Sequence, residues 1–182
     1  MKYAWRRTAL AAAAALALAA CGRGEPGVAP LTPEELAAGQ ARAAARAAGQ
    51  AFLQRNAKAG GVTVLPSGLQ YKVVTSGPAD GPRAADGDEV KVHYVGTLID
   101  GAQFESTHEM GQPAVFRVGE LVPGFNEALK LMRPGDVWYI YIPPELGYGD
   151  RDTGGPIPPG SVLVFKLEML DVLPAGGAAS MG

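Results

Sequence analysis

Few side chains in this sequence suit acid, base, nucleophile or metal chemistry. The chain has two histidines, His93 and His108, and a single cysteine, Cys21. His93 falls on the outward face of the alternating run VKVHYVGTL, and His108 lies in the polar loop STHEMGQP. No Cys or His spacing matches a zinc site, and no Gly-rich segment has the phosphate-loop pattern. Glu105, in AQFEST, is the one carboxylate beside an aromatic residue of interest. A catalyst built from this chain would work without the common acid, base or metal machinery. It does have a lone tyrosine at the mouth of an aperiodic loop. In PPELGYGDRDTGGPIPPGSVLVF, residues 143–165, Tyr148 precedes a stretch filled with Gly and Pro, and a strand follows at once. Such loops usually bind something when they persist in compact domains. A loop of this composition does not bury its own side chains, so Tyr148 and Ile157 read as ligand-facing.

Short strands and one helix must position that loop. VKVHYVGTL sets Val90, Val92, Tyr94 and Leu98 on one face and Lys91, His93, Val95 and Thr97 on the other. Asp100-Gly101 reads as a hairpin or tight turn before AQFEST. GLQYKVV, AVFRVG and VWYIYI are further strands, and so is SVLVFKLEMLDV, with Leu163, Phe165, Leu167 and Met169 facing inward. PGFNEALKLM is a helix with Phe125, Ala128, Leu129 and Met132 on one stripe. One apolar sheet face covered by one helix is an α+β domain. On spacing alone, Tyr94, Phe125, Phe165 and Trp138 are core. Tyr139 and Tyr141 face outward, either as ordinary strand residues or to dock a client or helix.

Ahead of the domain, TPEELAAGQARAAARAAGQAFLQRNAKAGG opens with a capping box at Thr32 and Glu35 and with Pro33 at the first helical position. Gly60-Gly61 should end this helix, and its apolar face is mostly methyl groups until Phe52 and Leu53. Arg42 and Arg46, one turn apart, read as a solvated face, with a dimerisation helix or spacer as the alternative. Residues 1–20 carry Lys2, Arg6 and Arg7 before an apolar run too short to span a bilayer, the layout of a secretory signal peptide. LAAC, Leu18 to Cys21, resembles the lipobox of bacterial lipoproteins, which implies acylation of Cys21 and stable membrane anchoring. Gly22, rather than Asp, favours the outer membrane, on the periplasmic side of the envelope. Residues 21–31 then form a flexible tether. Removing Lys2, Arg6 and Arg7 from the 16 basic residues leaves 13 against 18 acidic ones, about −5, which offers nothing to attract nucleic acid.

At VHYVGTLIDGAQFEST, VPGFNEALKLMRPGD and IPPELGYG…IPPGSVLVFKLEMLDV the sequence resembles the FKBP-type peptidyl-prolyl cis-trans isomerases. It is most similar to their bacterial envelope forms, including the macrophage infectivity potentiator group. The likeness covers about residues 62–173, and even AFLQRNAKAGGVTVLPSGLQYKVV looks like the lead-in of those forms. The resemblance implies a curved antiparallel sheet wrapped around one short helix, preceded by the helical lead-in at 32–61 and followed by a disordered tail at 174–182. It implies a proline pocket walled by Tyr94, Phe104, Glu105, Val122, Phe125, Tyr148, Ile157 and Phe165. Within it, the Val122 N–H and the Tyr148 hydroxyl would hold carbonyls flanking the proline, and 149–160 would be a flap with Ile157 at its lip. No cofactor or metal is implied, and the partners are Pro-containing exported or unfolded polypeptides.

Four positions depart from the family pattern. Glu105 stands for the usual Asp, Phe125 for Trp, Met110 for an Arg that pairs with the acid, and Ala114 for an aromatic. These imply a slower or altered isomerase that binds macrolide inhibitors weakly. They also support an alternative, a non-catalytic binding module or holdase using the same cleft. A purely structural envelope lipoprotein has less behind it, since no cell-wall-binding feature accompanies the lipobox. The short, Ala-rich lead-in helix favours a monomer or weak homodimer.

Overall fold

The computed structural model describes residues 30–175; the leader, Cys21 and most of the tether lie outside the described residues, as does most of the 174–182 tail. The elements run α1 (Pro33–Asn56), β1 (Val62–Val64), β2 (Gln70–Thr75), β3 (Glu89–Thr97), β4 (Gln103–Ser106), β5 (Ala114–Arg117), α2 (Pro123–Leu131), β6 (Val137–Ile142), a 3₁₀ turn (Pro144–Leu146) and β7 (Leu163–Leu173). The sheet is open, in the order β1-β2-β6-β7-β3-β4, with β5 also paired to β3. Every pairing is antiparallel.

The alternation works as read from the sequence. Val90, Val92 and Tyr94 of β3, Trp138, Ile140 and Ile142 of β6, and Leu163, Phe165, Leu167 and Met169 of β7 are all buried. The helix α2 lays Phe125, Ala128, Leu129 and Met132 onto that face, so one helix covers one apolar surface. Gly124 makes the approach close: a Cβ there would lie 2.7 Å from Ile142 Cγ2. The turn at Asp100-Gly101 forms as expected, with the Gly101 N–H donating to Leu98 O and the Leu98 N–H to Ala102 O. The three residues of β1 are too few for an alternation to show, and the sequence reading missed this strand.

One edge of β3 is divided. β5 pairs with Glu89–Val92 and β4 with Val95–Thr97, leaving Tyr94 between them. Thr107, fully buried, fills the gap. Its N–H donates to Tyr94 O, its hydroxyl accepts from the Tyr94 N–H at 2.9 Å, and His93 Nδ1 lies 2.9 Å from the same hydroxyl. Backbone groups that would otherwise be buried without a partner are thereby satisfied.

The lead-in helix differs from expectation in two ways. Its capping box forms as read, with the Glu35 N–H on Thr32 Oγ1 and the Thr32 N–H on Glu35 Oε2. It ends at Asn56, however, four residues before Gly60, and turns carry the chain into β1. The Asn56 amide donates to Gln70 Oε1 of β2, and the Gln70 amide donates to Leu53 O, so the last turn is tied to the sheet. Nor is the face around Arg46 merely solvated. Arg46 Nη1 meets Glu145 Oε1 and Arg46 Nε meets Asp150 Oδ1, both at 2.9 Å. Gly49 is buried against Val162, and Phe52 stacks at a tilt on Tyr141 with ring centroids 5.8 Å apart. The outward Tyr141 therefore docks the helix.

Candidate active site

The aromatic side chains drawn from separate strands and α2 meet in one cluster. Tyr94, Phe125 and Phe165 form a triangle, with ring centroids 6.0 Å (Tyr94–Phe125), 5.9 Å (Tyr94–Phe165) and 5.1 Å (Phe125–Phe165) apart. Their interplanar angles of 81°, 66° and 89° are edge-to-face, the arrangement in which the positive ring edge meets the negative face. Phe104 stands on Phe165 at 5.6 Å and 87°. Gly96 of β3 makes room for that pair. The reading from sequence missed Phe116, which touches both Tyr94, at 5.8 Å, and Phe125, at 6.0 Å. Its four-residue strand AVFR was too short to reveal an inward position.

Exposure divides the eight residues. Tyr94, Phe125 and Phe165 are buried, Phe125 at 4%, and form a floor. Phe104, Val122 and Ile157 are half-buried against the same core, whereas Tyr148 is 36% exposed and Glu105 is exposed. Two cavities of about 630 and 640 Å³ lie apart from this cluster, one along Leu65, Leu121, Pro123 and Leu131, the other along Gln50, Leu53 and Pro144.

Val122 precedes α2 with no side-chain cap, and its N–H donates no hydrogen bond among the described residues. Pro123, with no N–H of its own, occupies the first helical position beside it. Asn126 holds the approach to this point: its Oδ1 accepts from the Gly119 N–H at 2.9 Å and its amide donates to Leu121 O at 2.7 Å. Asn126 is buried although it lies beside the apolar stripe of α2, and no pattern in the sequence marked it.

The loop bearing Tyr148 is closed at its neck, where the Gly160 N–H donates to Gly149 O at 2.8 Å. Both glycines have positive φ, +61° and +80°, a backbone that L side chains rarely adopt. Within the loop the Thr153 hydroxyl donates to Ile157 O.

Electrostatically the site is quiet. Burial pushes the Tyr94 phenol well above its ordinary pKa, with the facing Glu105 carboxylate second and Tyr148 a lesser cause. Glu105 has no salt bridge among the described residues. Met110 is 53% exposed, and Ala114 sits opposite Val92 on β5. The arrangement presents an apolar floor, one unpaired backbone donor and one exposed phenol. It suits binding and distortion of an uncharged group far better than proton transfer.

The chain is similar in sequence and in fold to known proteins. The family described as FKBP-type peptidyl-prolyl cis-trans isomerase matches residues 81–170, and the domain amino terminal to it matches residues 31–73. The outer membrane protein MIP of Legionella longbeachae is 46% identical over 127 residues, covering 70% of this chain and 54% of that protein. The FKBP-type 22 kDa peptidyl-prolyl cis-trans isomerase of Escherichia coli is 47% identical over 127 residues, covering 70% and 61%. The chain thus spans little more than half the length of these curated relatives. Among solved structures, FkpA from Escherichia coli superposes with a TM-score of 0.73 and 36% identity, over 80% of this chain and 75% of that one.

Proposed function

Because the chain belongs to the FKBP-type peptidyl-prolyl cis-trans isomerase family, we propose that it accelerates cis–trans exchange of Xaa-Pro bonds in exported polypeptides. The observation that carries this reading is the edge-to-face aromatic cluster with an unpaired backbone N–H and an exposed phenol around it.

Rotation about a peptide bond is opposed by about 18–20 kcal/mol, because resonance holds the amide planar. For Xaa-Pro the two isomers lie close in energy, so the difficulty is kinetic. Twisting removes the resonance and leaves a less polar carbonyl–nitrogen pair. A dry aromatic surface favours that twisted form over the planar, hydrated ground state. Lowering the barrier by about 7 kcal/mol gives about 10⁵-fold acceleration. In this scheme the proline ring rests against Phe125, with Tyr94, Phe104 and Phe165 around it. The Val122 N–H and Tyr148 hydroxyl each donate to a carbonyl flanking the proline. The 149–160 loop closes one side, with Ile157 at its lip. Glu105, exposed at the rim, completes the set of pocket residues.

The partners are Pro-containing unfolded chains in the cell envelope, consistent with the outer membrane protein MIP among the relatives. Acylated Cys21 is the membrane anchor in this reading, placing the domain on the periplasmic side of an outer membrane. A monomer or weak dimer, with weak affinity for macrolides, fits the short lead-in helix and the replaced pocket positions.

The test is cis–trans exchange of Ala-Xaa-Pro-Phe peptides, followed by NMR with the full-length chain. Exchange far faster than the uncatalysed rate, and lost in a Phe104→Ala, Tyr148→Ala double variant, is the expected result. A second reading, a docking module or holdase, is favoured by the exposed, unbridged Glu105 and by Phe125 in the floor. Peptide binding without any acceleration would establish that one instead.

A further inference from the structure

Both ends of the loop that carries Tyr148 and Ile157 are in contact with α1, an element outside the aromatic cluster. Arg46 donates from Nη1 to Glu145 in the 3₁₀ turn and from Nε to Asp150 in the loop, so its two bonds bracket Tyr148 in sequence. At the far end of the loop, a Cβ on Gly160 would lie 2.9 Å from Arg46 Cγ and 3.2 Å from Arg42 O, so backbone and arginine stem are in close contact. Two residues on, Val162 packs against the bare backbone of Gly49, where a Cβ would lie 2.8 Å from Val162 Cγ2. The same arginine therefore touches the entry and the exit of a loop whose neck is a single hydrogen bond, from the Gly160 N–H to Gly149 O. Among the described residues, both ion pairs between the helix and this segment come from the Arg46 guanidinium, forked toward two carboxylates, while the Arg42 charge also acts on Asp150 without a bond.

We propose that Arg46 is a positioning residue: through it α1 holds the 145–160 segment in place, and so sets the affinity of the proline site for its peptide. The proposal rests on the isomerase reading of that site. Arg46 touches no aromatic residue of the cluster in any contact described above, and its effect passes through Glu145, Asp150 and the Gly160 backbone. Both ion pairs are exposed to solvent, with 40% of the Arg46 side chain accessible, so the clamp is adjustable and sensitive to salt. A loop held only part of the time weakens apparent binding by the fraction of time it is out of place. The consequence is a change in KM with kcat nearly unaltered.

The experiment uses the full-length chain and a blocked, uncharged Ala-Leu-Pro-Phe peptide. Arg46→Ala is expected to raise KM about two- to fivefold, the range open to exposed ion pairs, with kcat retained. Arg46→Lys should recover part of the loss. Arg46→Glu should be worse than Arg46→Ala, and adding Glu145→Arg and Asp150→Arg should restore it. Raising NaCl should bring the unsubstituted protein toward Arg46→Ala while leaving that variant unmoved. Amide hydrogen exchange supplies an activity-free readout: the Gly160 N–H and its loop neighbours should exchange faster in Arg46→Ala, with β7 unchanged. If loop exchange and KM both stay as they were, the proposal is wrong. Faster loop exchange with no change in KM also overturns it, as does an equal fall in kcat that Lys does not rescue. Should the unsubstituted protein fail to accelerate isomerisation at all, the isomerase reading falls. The clamp is then judged from the loop amides and from peptide Kd in place of KM.

Discussion

A Cβ at position 96 would lie 2.5 Å from Phe104 Cε2 and 2.9 Å from Phe165 Cε1, so β3 lacks a side chain at the point where two rings meet above it. Gly96→Ala must displace Phe104, the less buried of the pair. The expected cost is about 1–3 kcal/mol in denaturant unfolding, typical of an overpacked core site. A ring moved out of place should slow catalysed exchange about tenfold or more. Unaltered catalysis in a properly folded Gly96→Ala protein would remove Phe104 from the site. Tyr94 makes a prediction of a different kind. Its phenol pKa is raised first by burial and then by Glu105, so the neutral form is the one the fold stabilises. That contribution is complete below the ordinary phenol value of about 10 and fades only as pH climbs through the raised one. Catalysed exchange should therefore be flat from about pH 6 to 9. A step within that range would sink a mechanism in which no proton moves.

Among the elements, α1 makes contrasting use of its glycines. Nothing lies within 4 Å of a Cβ built on Gly39, whereas one on Gly49 meets Val162 at 2.8 Å. Gly39→Ala should stabilise the chain by about 0.5–1 kcal/mol through helix propensity alone. At Gly49 the same propensity gain is opposed by lost seating of the helix, and the thermal midpoint should fall. Equal shifts for the two variants would mean that α1 does not dock. This contrast also marks how far sequence could be read. Alternation in VWYIYI and SVLVFKLEMLDV, and the stripe in PGFNEALKLM, located β6, β7 and α2, because those segments are long enough for a period to show. Val62–Val64 is too short for that. The docking of α1 was legible only in the outward Tyr141: a contact made by the absence of a side chain at Gly49, and an arginine whose partners lie about a hundred residues away, leave no local pattern. For the site, the Gly- and Pro-rich loop pointed to Tyr148 and Ile157. Tyr94, Phe125 and Phe165 looked like core by periodicity, and they are buried; family resemblance alone gave them a further role.

For the molecule as a whole, the anchor proposed at Cys21 decides where the domain works. Cys21→Ser should leave peptide exchange intact while moving the protein from the membrane fraction to the soluble one, and fractionation that is the same for both would exclude acylation there. A domain held at that location would be surrounded by incompletely folded chains with unpaired backbone. Its sheet has little for them to pair with. One margin is the three-residue strand Val62–Val64, and the other is broken into Gln103–Ser106 and Ala114–Arg117, with Thr107 closing the space between. Neither margin presents the long, flat ladder on which an extended chain nucleates a new strand. If the proposed function holds, clients are denied backbone zippering and must engage through their side chains, so a domain of this kind would not seed the aggregates it would otherwise be well placed to start.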